Sequence, residues 1–261
     1  MQLDREDWRA LRRASRHRLL AMHFRSGVGH LGGNLSCLDA LLVLYHRTLG
    51  PDDRFVLSKG HSAGALYVTL WSVGRLSDAD LETFHQDDTL LAGHPPASGI
   101  DDILFATGSL GHGICMAGGL ALSARDAGST RRVFCLTSDG EWQEGSTWEA
   151  LIFAAHHRLT NLTILVDVNG LQGFGTTADV ASLDLDPALR GFGVEVVRVD
   201  GHDPEILMAA FNREPGRGPR VIAMTTRKGK GVSFMEDRLE SHYLPLSESG
   251  YERALRETDE G

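Results

Sequence analysis

Cysteine is scarce in this 261-residue chain, which has three: Cys37, Cys115 and Cys135. They lie far apart, and none forms a CxxC pair or a zinc-ligand spacing. An odd, sparse set of thiols suits a reducing cytosol rather than a disulfide framework. Cys115 and Cys135 fall in apolar runs and are expected to be buried. Basic charge is in deficit as well: 26 Lys and Arg against 35 Asp and Glu leave a net charge of −9. That balance argues against nucleic acid or an anionic membrane as a partner. No apolar run is long enough to span a bilayer. The amino terminus, MQLDREDWRALRRASRHRLL, is charged throughout and has no signal-peptide core, so the expected location is cytoplasmic. Low-complexity tracts and internal repeats are also missing.

What is present is ordinary for a globular protein, with 42% hydrophobic and 23% charged residues. Apolar residues at helical spacing predict a helix from Asp4 to Arg25, with its many arginines on a solvated face. After the glycine-rich stretch Ser26 to Asn34, a helix is expected from about Ser36 to Arg47. A strand at Phe55 to Leu57, a helix from Ser62 to Val73 and a serine-capped helix after Ser77 follow. The segment Gly93 to Asp102 reads as loop, and Thr107 to Gly113 opens a helix that runs to Asp126. Strands are expected at Val194 to Val199 and Arg220 to Thr225, with a helix between them from Pro204 to Arg213. The tail from about Glu236 reads as polar and irregular, with a short helix near Tyr251 to Arg256. Strands alternate with helices, so the expected fold is one α/β domain over residues 1–261. It has three layers, with helices on both faces of a mainly parallel sheet.

The stretch Ser138 to Gly175, SDGEWQEGSTWEALIFAAHHRLTNLTILVDVNGLQGFG, carries the chemistry. Apolar runs at Val133 to Leu136 and Leu162 to Val166 flank a helical pattern from about Ser146 to His157, making one strand–helix–strand unit. Asp139 and Asn169 stand just past the two strand ends. If the strands are neighbours, a carboxylate and an amide oxygen face one crevice, a donor set suited to Mg²⁺ or Ca²⁺. Read singly, Asp-Gly and Asn-Gly are also ordinary turn pairs. Three Gly-His pairs, Gly29-His30, Gly60-His61 and Gly93-His94, sit in loops beside helices, and His242 lies past the last strand. Glycine lets a ligand approach the backbone, and histidine donates to phosphate or moves a proton near neutral pH.

The series Asp139-Gly140, Glu144-Gly145, Glu149-Ala150, Leu159, Asn161-Leu162 and Asp167-x-Asn169 resembles the thiamine-diphosphate-binding motif. With GHLGGNLS, RFVLSKGHSAGALY, AGHPPA, TGSLGHG and RKGKGVSFMED in order, residues His17 to Tyr251 resemble the amino-terminal domain of transketolase. The likeness is greatest to the short amino-terminal subunit of split, two-component transketolases. The resemblance implies thiamine diphosphate and Mg²⁺ (or Ca²⁺) as cofactors. It implies Asp139, Asn169 and the carbonyl of Leu171 as metal ligands. His61, Gly108, Leu110, Gly140, Asn169 and His242 would contact the cofactor. His30, His94 and His242 would handle protons and substrate hydroxyls. Glu144 would lie in an acidic turn at a subunit interface. Four departures stand out: Ser138 for glycine, His85 for arginine, His112 for glutamine, and Ser241-His242-Tyr243-Leu244 without the usual tryptophan and Gly-Lys.

In that family the glutamate that activates the aminopyrimidine, and the arginines that hold a sugar phosphate, lie on a pyrimidine-binding domain absent from this sequence. The resemblance therefore implies an incomplete site, closed by a separate carboxy-terminal subunit in a two-plus-two heterotetramer with an apolar surface around the site. The expected reaction moves a two-carbon ketol unit between sugar phosphates. Two other readings stand beside it: a specialised acyloin- or ketol-transferring enzyme, motivated by His85 and His112, and a non-catalytic partner subunit.

Overall fold

The computed structural model describes residues 5–97 and 99–260. Asp4, where the first helix was expected to begin, lies outside them. The chain opens with helices α1 (Arg5–Ser26) and α2 (Leu31–Arg47), then strand β1 (Arg54–Leu57), α3 (Ala63–Ser72), α4 (Asp78–Glu82) and α5 (Gly113–Asp126). The next elements are β2 (Val133–Ser138), α6 (Gly145–His156), β3 (Leu162–Val168) and a two-strand hairpin, β4 (Leu171–Gln172) with β5 (Gly175–Thr176). Helices α7 (Thr177–Val180) and α8 (Leu185–Gly191), β6 (Glu195–Asp200), α9 (Pro204–Phe211), β7 (Arg220–Thr225) and α10 (Glu248–Glu260) complete it.

Five strands form one sheet in the order β1-β2-β3-β7-β6, with every neighbouring pair parallel. Helical crossovers put helices on both faces, and a doubly covered strand reads as a continuous apolar run. Side chains alternate between the two cores. Phe55, Leu57, Phe134, Leu136, Leu165, Ile222 and Met224 pack with α1, α2, α3 and α9. Val56, Val133, Cys135, Ile164, Val166 and Val221 pack with α5, α6 and α8 on the other face. The three-layer parallel architecture expected from the sequence is the observed one.

Several local expectations are corrected. Helix α2 begins at Leu31 rather than near Ser36, which lies inside it and whose hydroxyl donates to Gly33 O (3.0 Å) and to the Asp167 carboxylate (2.6 Å). The 107–112 segment is turn, and its helix starts only at Gly113. The tail is not irregular, since a 3₁₀ turn (Leu239–His242) precedes the 13-residue α10. Helix α10 packs on α1, where the Phe24 and Tyr251 rings stack 4.4 Å apart. Cys115 is exposed, because its face of α5 points away from the sheet; Cys135 is buried as expected. The arginine face of α1 is not all solvated, for Arg16 is 5% exposed and pairs with Asp39 of α2. The cap at Ser77 is confirmed, as a reciprocal capping box with Asp80.

His23, on the buried side of α1, packs against Phe84 and is held by burial down to about 4. The unfolded chain takes up this proton near its ordinary value, whereas the folded chain does not until about 4. This residue's stabilising contribution is therefore present above pH 6.5 and is lost as pH falls toward 4, up to about 3 kcal/mol. Urea denaturation at pH 7 and pH 5 should show this loss, and His23→Leu should reduce the acid slope, leaving the part owed to His30, His61, His94 and His242. An unchanged acid slope in the variant would contradict the assignment.

Candidate functional site

Parallel strands deliver their loops to one edge of the sheet, and in open α/β sheets ligands bind there. Here that edge gathers the segments after β1 (58–61), β2 (139–144), β3 (169–171) and β7 (226–242), together with the amino end of α2. β2 and β3 are hydrogen-bonded neighbours, with Ser138 paired to Asp167, so Asp139 and Asn169 do emerge side by side. Ser138 is the last residue of β2. An extended strand residue has no need of glycine there, and the departure from the family pattern leaves the loop intact.

Asp139 is 9% exposed and accepts the backbone N–H groups of Gly140 (2.9 Å) and Gly170 (2.6 Å). Asn169 Oδ1 accepts the Leu171 N–H at 3.1 Å. Burial, reinforced by nearby Asp167, pushes the Asp139 carboxyl up to about 6. A carboxylate so short of positive charge suits a divalent cation. Together with the Asn169 amide oxygen and the Leu171 carbonyl, the donors are all hard oxygens. Among the described residues, no three His, Cys, Asp or Glu side chains converge as a metal cage. The residues present thus fit Mg²⁺ or Ca²⁺ shared with a ligand's own oxygens.

Beneath Asp139 lies a buried ion pair that the sequence did not reveal. Lys59 and Asp167, from β1's loop and from β3, form a short salt bridge with side chains 1% and 0% exposed. Lys59 also donates to Gly33 O (3.0 Å), and Asp167 accepts from the Ser36 and Thr226 hydroxyls. Glu141 was equally unforeseen. Its carboxylate accepts from the Ser58 hydroxyl, from Ser138 N (3.1 Å) and from Gly111 N (2.9 Å). It thereby ties the segment holding Gly108 and Leu110 to β1 and β2.

Four of the histidines picked out in the sequence converge. His30 lies 5.6 Å from His61, 6.1 Å from His94 and 5.0 Å from His242, ring centre to ring centre. His61 and His242 are 5.6 Å apart. Asn34 explains part of this: its amide donates to His30 O (2.8 Å) and His61 O (3.1 Å), while its oxygen accepts Ala65 N–H (2.7 Å). His30 itself adopts a left-handed φ of 66°, a conformation that non-glycine residues hold only under constraint. Gly60 and Gly108 lie back to back, so a Cβ at Gly60 would sit 2.7 Å from Gly108 N. That close approach sets the residue before His61 against the Gly108 turn, where a Cβ on Gly108 would lie 2.9 Å from the His94 ring.

Burial lowers His30, His61, His94 and His242, the last to about 3 with help from Lys228. Neutral imidazoles can donate a hydrogen bond without placing a charge beside a substrate hydroxyl. Lys228 is a further site residue that sequence reasoning passed over as part of a basic loop. Its Nζ lies 2.9 Å from His242 Nδ1 and 3.4 Å from Leu171 O, and burial lowers it to about 8. The ammonium occupies the Nδ1 side of His242, which leaves Nε2–H free to donate. A buried ammonium among neutral imidazoles beside three oxygen donors is a cradle for a metal-bound diphosphate.

His85 also has a left-handed φ, 62°, and its ring stands where a side chain on Gly93 would be, 2.8 Å from that Cβ position. It backs the loop carrying His94. His112 is exposed and turns its Nδ1 to Leu110 O (3.0 Å). Glu144 is exposed on the same edge. The rim is apolar in part: Phe174 is 87% exposed, Leu244 60% and Tyr243 53%. Strand β4 packs against the 239–242 turn, and Gly173 in the hairpin turn lies against the Tyr243 side chain.

Residues 11–258 match the family described as "Transketolase, thiamine diphosphate binding domain". The chain is 37% identical to one subunit of the apulose-4-phosphate transketolase of Actinobacillus succinogenes, over 94% of this chain and 93% of that one. It is 36% identical to a 6-deoxy-6-sulfo-D-fructose transketolase subunit of a Clostridium species, over 89% of each. Among solved structures, transketolase from Campylobacter jejuni superposes with a TM-score of 0.91 at 28% identity, covering 98% of this chain and 43% of that one. The chain thus spans under half the length of that full transketolase.

Proposed function

The chain belongs to the transketolase family, as a thiamine-diphosphate-binding amino-terminal subunit, and from that premise we propose that it works as one half of a split transketolase. The reaction is transfer of a two-carbon ketol unit from a ketose phosphate to an aldose phosphate. The observation that carries the reading is the convergence of Asp139, Asn169, Lys228 and four histidines at one sheet edge. Bound there, thiamine diphosphate supplies the electron sink for carbanion chemistry.

This chain's own residues then have distinct tasks. Asp139, Asn169 and the Leu171 carbonyl hold Mg²⁺. Lys228, His61 and the Nε2–H of His242 bind the diphosphate oxygens, and Gly140 leaves them room. Gly108 and Leu110, braced by Glu141, border the aminopyrimidine. His30 and His94 face the substrate's hydroxyls and move protons as neutral imidazoles.

The names of two relatives, each called a subunit, support a separate partner chain that contributes the pyrimidine-binding half. The exposed Phe174, Tyr243 and Leu244 at the rim support the same reading, since an apolar rim suits burial against another chain. A two-plus-two assembly in the cytoplasm is the arrangement proposed. The same relatives act, by name, on unusual sugars, and His85 behind the His94 loop favours a specialised ketol donor as a second reading.

An assay of the chain alone and with its partner, using xylulose 5-phosphate and ribose 5-phosphate, tests the proposal. Sedoheptulose 7-phosphate should form with the pair and not with the chain alone. An active, cofactor-loaded pair that makes none would replace the first reading by the second.

A further inference from the structure

A polar array crosses the core from α1 to the loop after β7. Asp39 of α2, 2% exposed, lies 3.1 Å from Arg16 Nη2 through its Oδ2. The same oxygen is 2.9 Å from Nδ1 of His202, in the turn between β6 and α9. The other ring nitrogen, Nε2, accepts the backbone N–H of Arg227 at 3.0 Å. A nitrogen that accepts from an amide carries no hydrogen, so the imidazole proton sits on Nδ1 and is donated to Asp39. Both ring nitrogens are used and the tautomer is fixed. His202 is itself held in place, its N–H donating to Asp200 Oδ1 at 2.8 Å.

The amide that His202 grips precedes Lys228. On either side the loop is pinned by backbone bonds, Thr226 N to Val168 O (3.0 Å) and Gly229 N to Gly32 O (2.9 Å). Farther along, Gly231 at φ +87° rests on Arg16, whose Nη1 would lie 3.2 Å from a Cβ there. A buried Arg–Asp pair seldom stabilises a core better than apolar residues of the same volume. Its evident use here is orientation, since it fixes the imidazole that fixes the loop.

We propose that Arg16, Asp39 and His202 are positioning residues for Lys228. They hold the Arg227 amide so that the Lys228 ammonium stays aimed between His242 and the Leu171 carbonyl. None of the three touches the reacting centre. The purpose assigned to them rests on the cofactor reading above, whereas their grip on the loop does not.

Two substitutions separate the bonds. His202→Asn keeps a donor toward Asp39 and leaves no acceptor for the Arg227 amide. His202→Gln places its Oε1 where Nε2 stood. Hydrogen–deuterium exchange on the full chain, without cofactor, should show amides 226–231 exchanging at least about tenfold faster in His202→Asn and near wild type in His202→Gln. Calorimetric titration of thiamine diphosphate with Mg²⁺ into the chain with its partner should give a Kd raised about tenfold for Asn and less than about threefold for Gln. The thermal midpoints of the two variants should agree within a few degrees. In the reconstituted enzyme the apparent cofactor KM should rise for Asn, with kcat at saturation unchanged.

Unchanged loop exchange in His202→Asn overturns the array. So does an equal loss of affinity in both variants that tracks a fall in thermal midpoint, which is what a merely structural role would give. Faster loop exchange with no cofactor binding by the wild type overturns the functional reading and, with it, the purpose of the array.

Discussion

Asp139→Ala should abolish metal-dependent binding of thiamine diphosphate while leaving the metal-free fold nearly as stable as before. Changes to groups that merely support a ligand typically cost 10–100-fold in metal affinity, so removal of a ligand should cost more than about 100-fold. Stability responds differently because two effects oppose. The substitution removes a buried carboxylate that burial and Asp167 hold up at about 6, which relieves the fold. It also strands the N–H groups of Gly140 and Gly170, at about 1–3 kcal/mol each if water does not reach them. The thermal midpoint without metal should therefore shift by only a few degrees. Affinity equal to wild type would refute the ligand assignment, whereas a collapse of the metal-free fold would make Asp139 a structural residue first.

Lys59→Met should be the most destabilising single change beneath the site. It leaves Asp167 without its counter-ion at a position that is 0% exposed, and breaking such a pair costs about 3–5 kcal/mol. Burial works against both charges, yet the pairing keeps Lys59 above and Asp167 below their ordinary values, so the bridge is ionised. Asp167→Asn in the Lys59→Met background should recover part of the loss, because a neutral amide needs no counter-ion, and its oxygen can accept from one of the Ser36 and Thr226 hydroxyls while its NH2 donates to the other. Urea midpoints of the four proteins form a double-mutant cycle, and a coupling of about 2 kcal/mol is expected. A loss below about 1 kcal/mol in Lys59→Met would show that the bridge carries little.

The parallel sheet was legible because its strands are covered on both faces and read as unbroken apolar runs. Asp139 and Asn169 were legible for the same reason: each stands three residues past the end of such a run, one past its strand, and before a glycine. The buried partners of charged residues were not legible. Lys59, Asp39, Arg16 and Glu141 look like surface charges in the sequence, and only tertiary pairing buries them. The start of α2 was misplaced because Gly32 and Gly33 weaken a helix locally. The fold uses them because their small size admits Ser241 and His61 against the first turn. Helix α10 was understated because its sequence is mostly polar; the residues that hold it to α1 are few in type, with Ala254 and Thr258 buried and Tyr251 stacked on Phe24. The convergence of the four histidines depends on loops from four different parts of the chain, which no local spacing records.

The central claim is that this chain binds the metal-bridged diphosphate end of thiamine diphosphate through Asp139, Asn169 and Lys228. The most direct test is a calorimetric titration of thiamine diphosphate into the wild-type chain with its partner, in Mg²⁺ and again in EDTA. Saturable binding of one cofactor per chain in Mg²⁺, lost in EDTA, is the predicted result. No binding in either condition, or binding of equal strength in both, would contradict it.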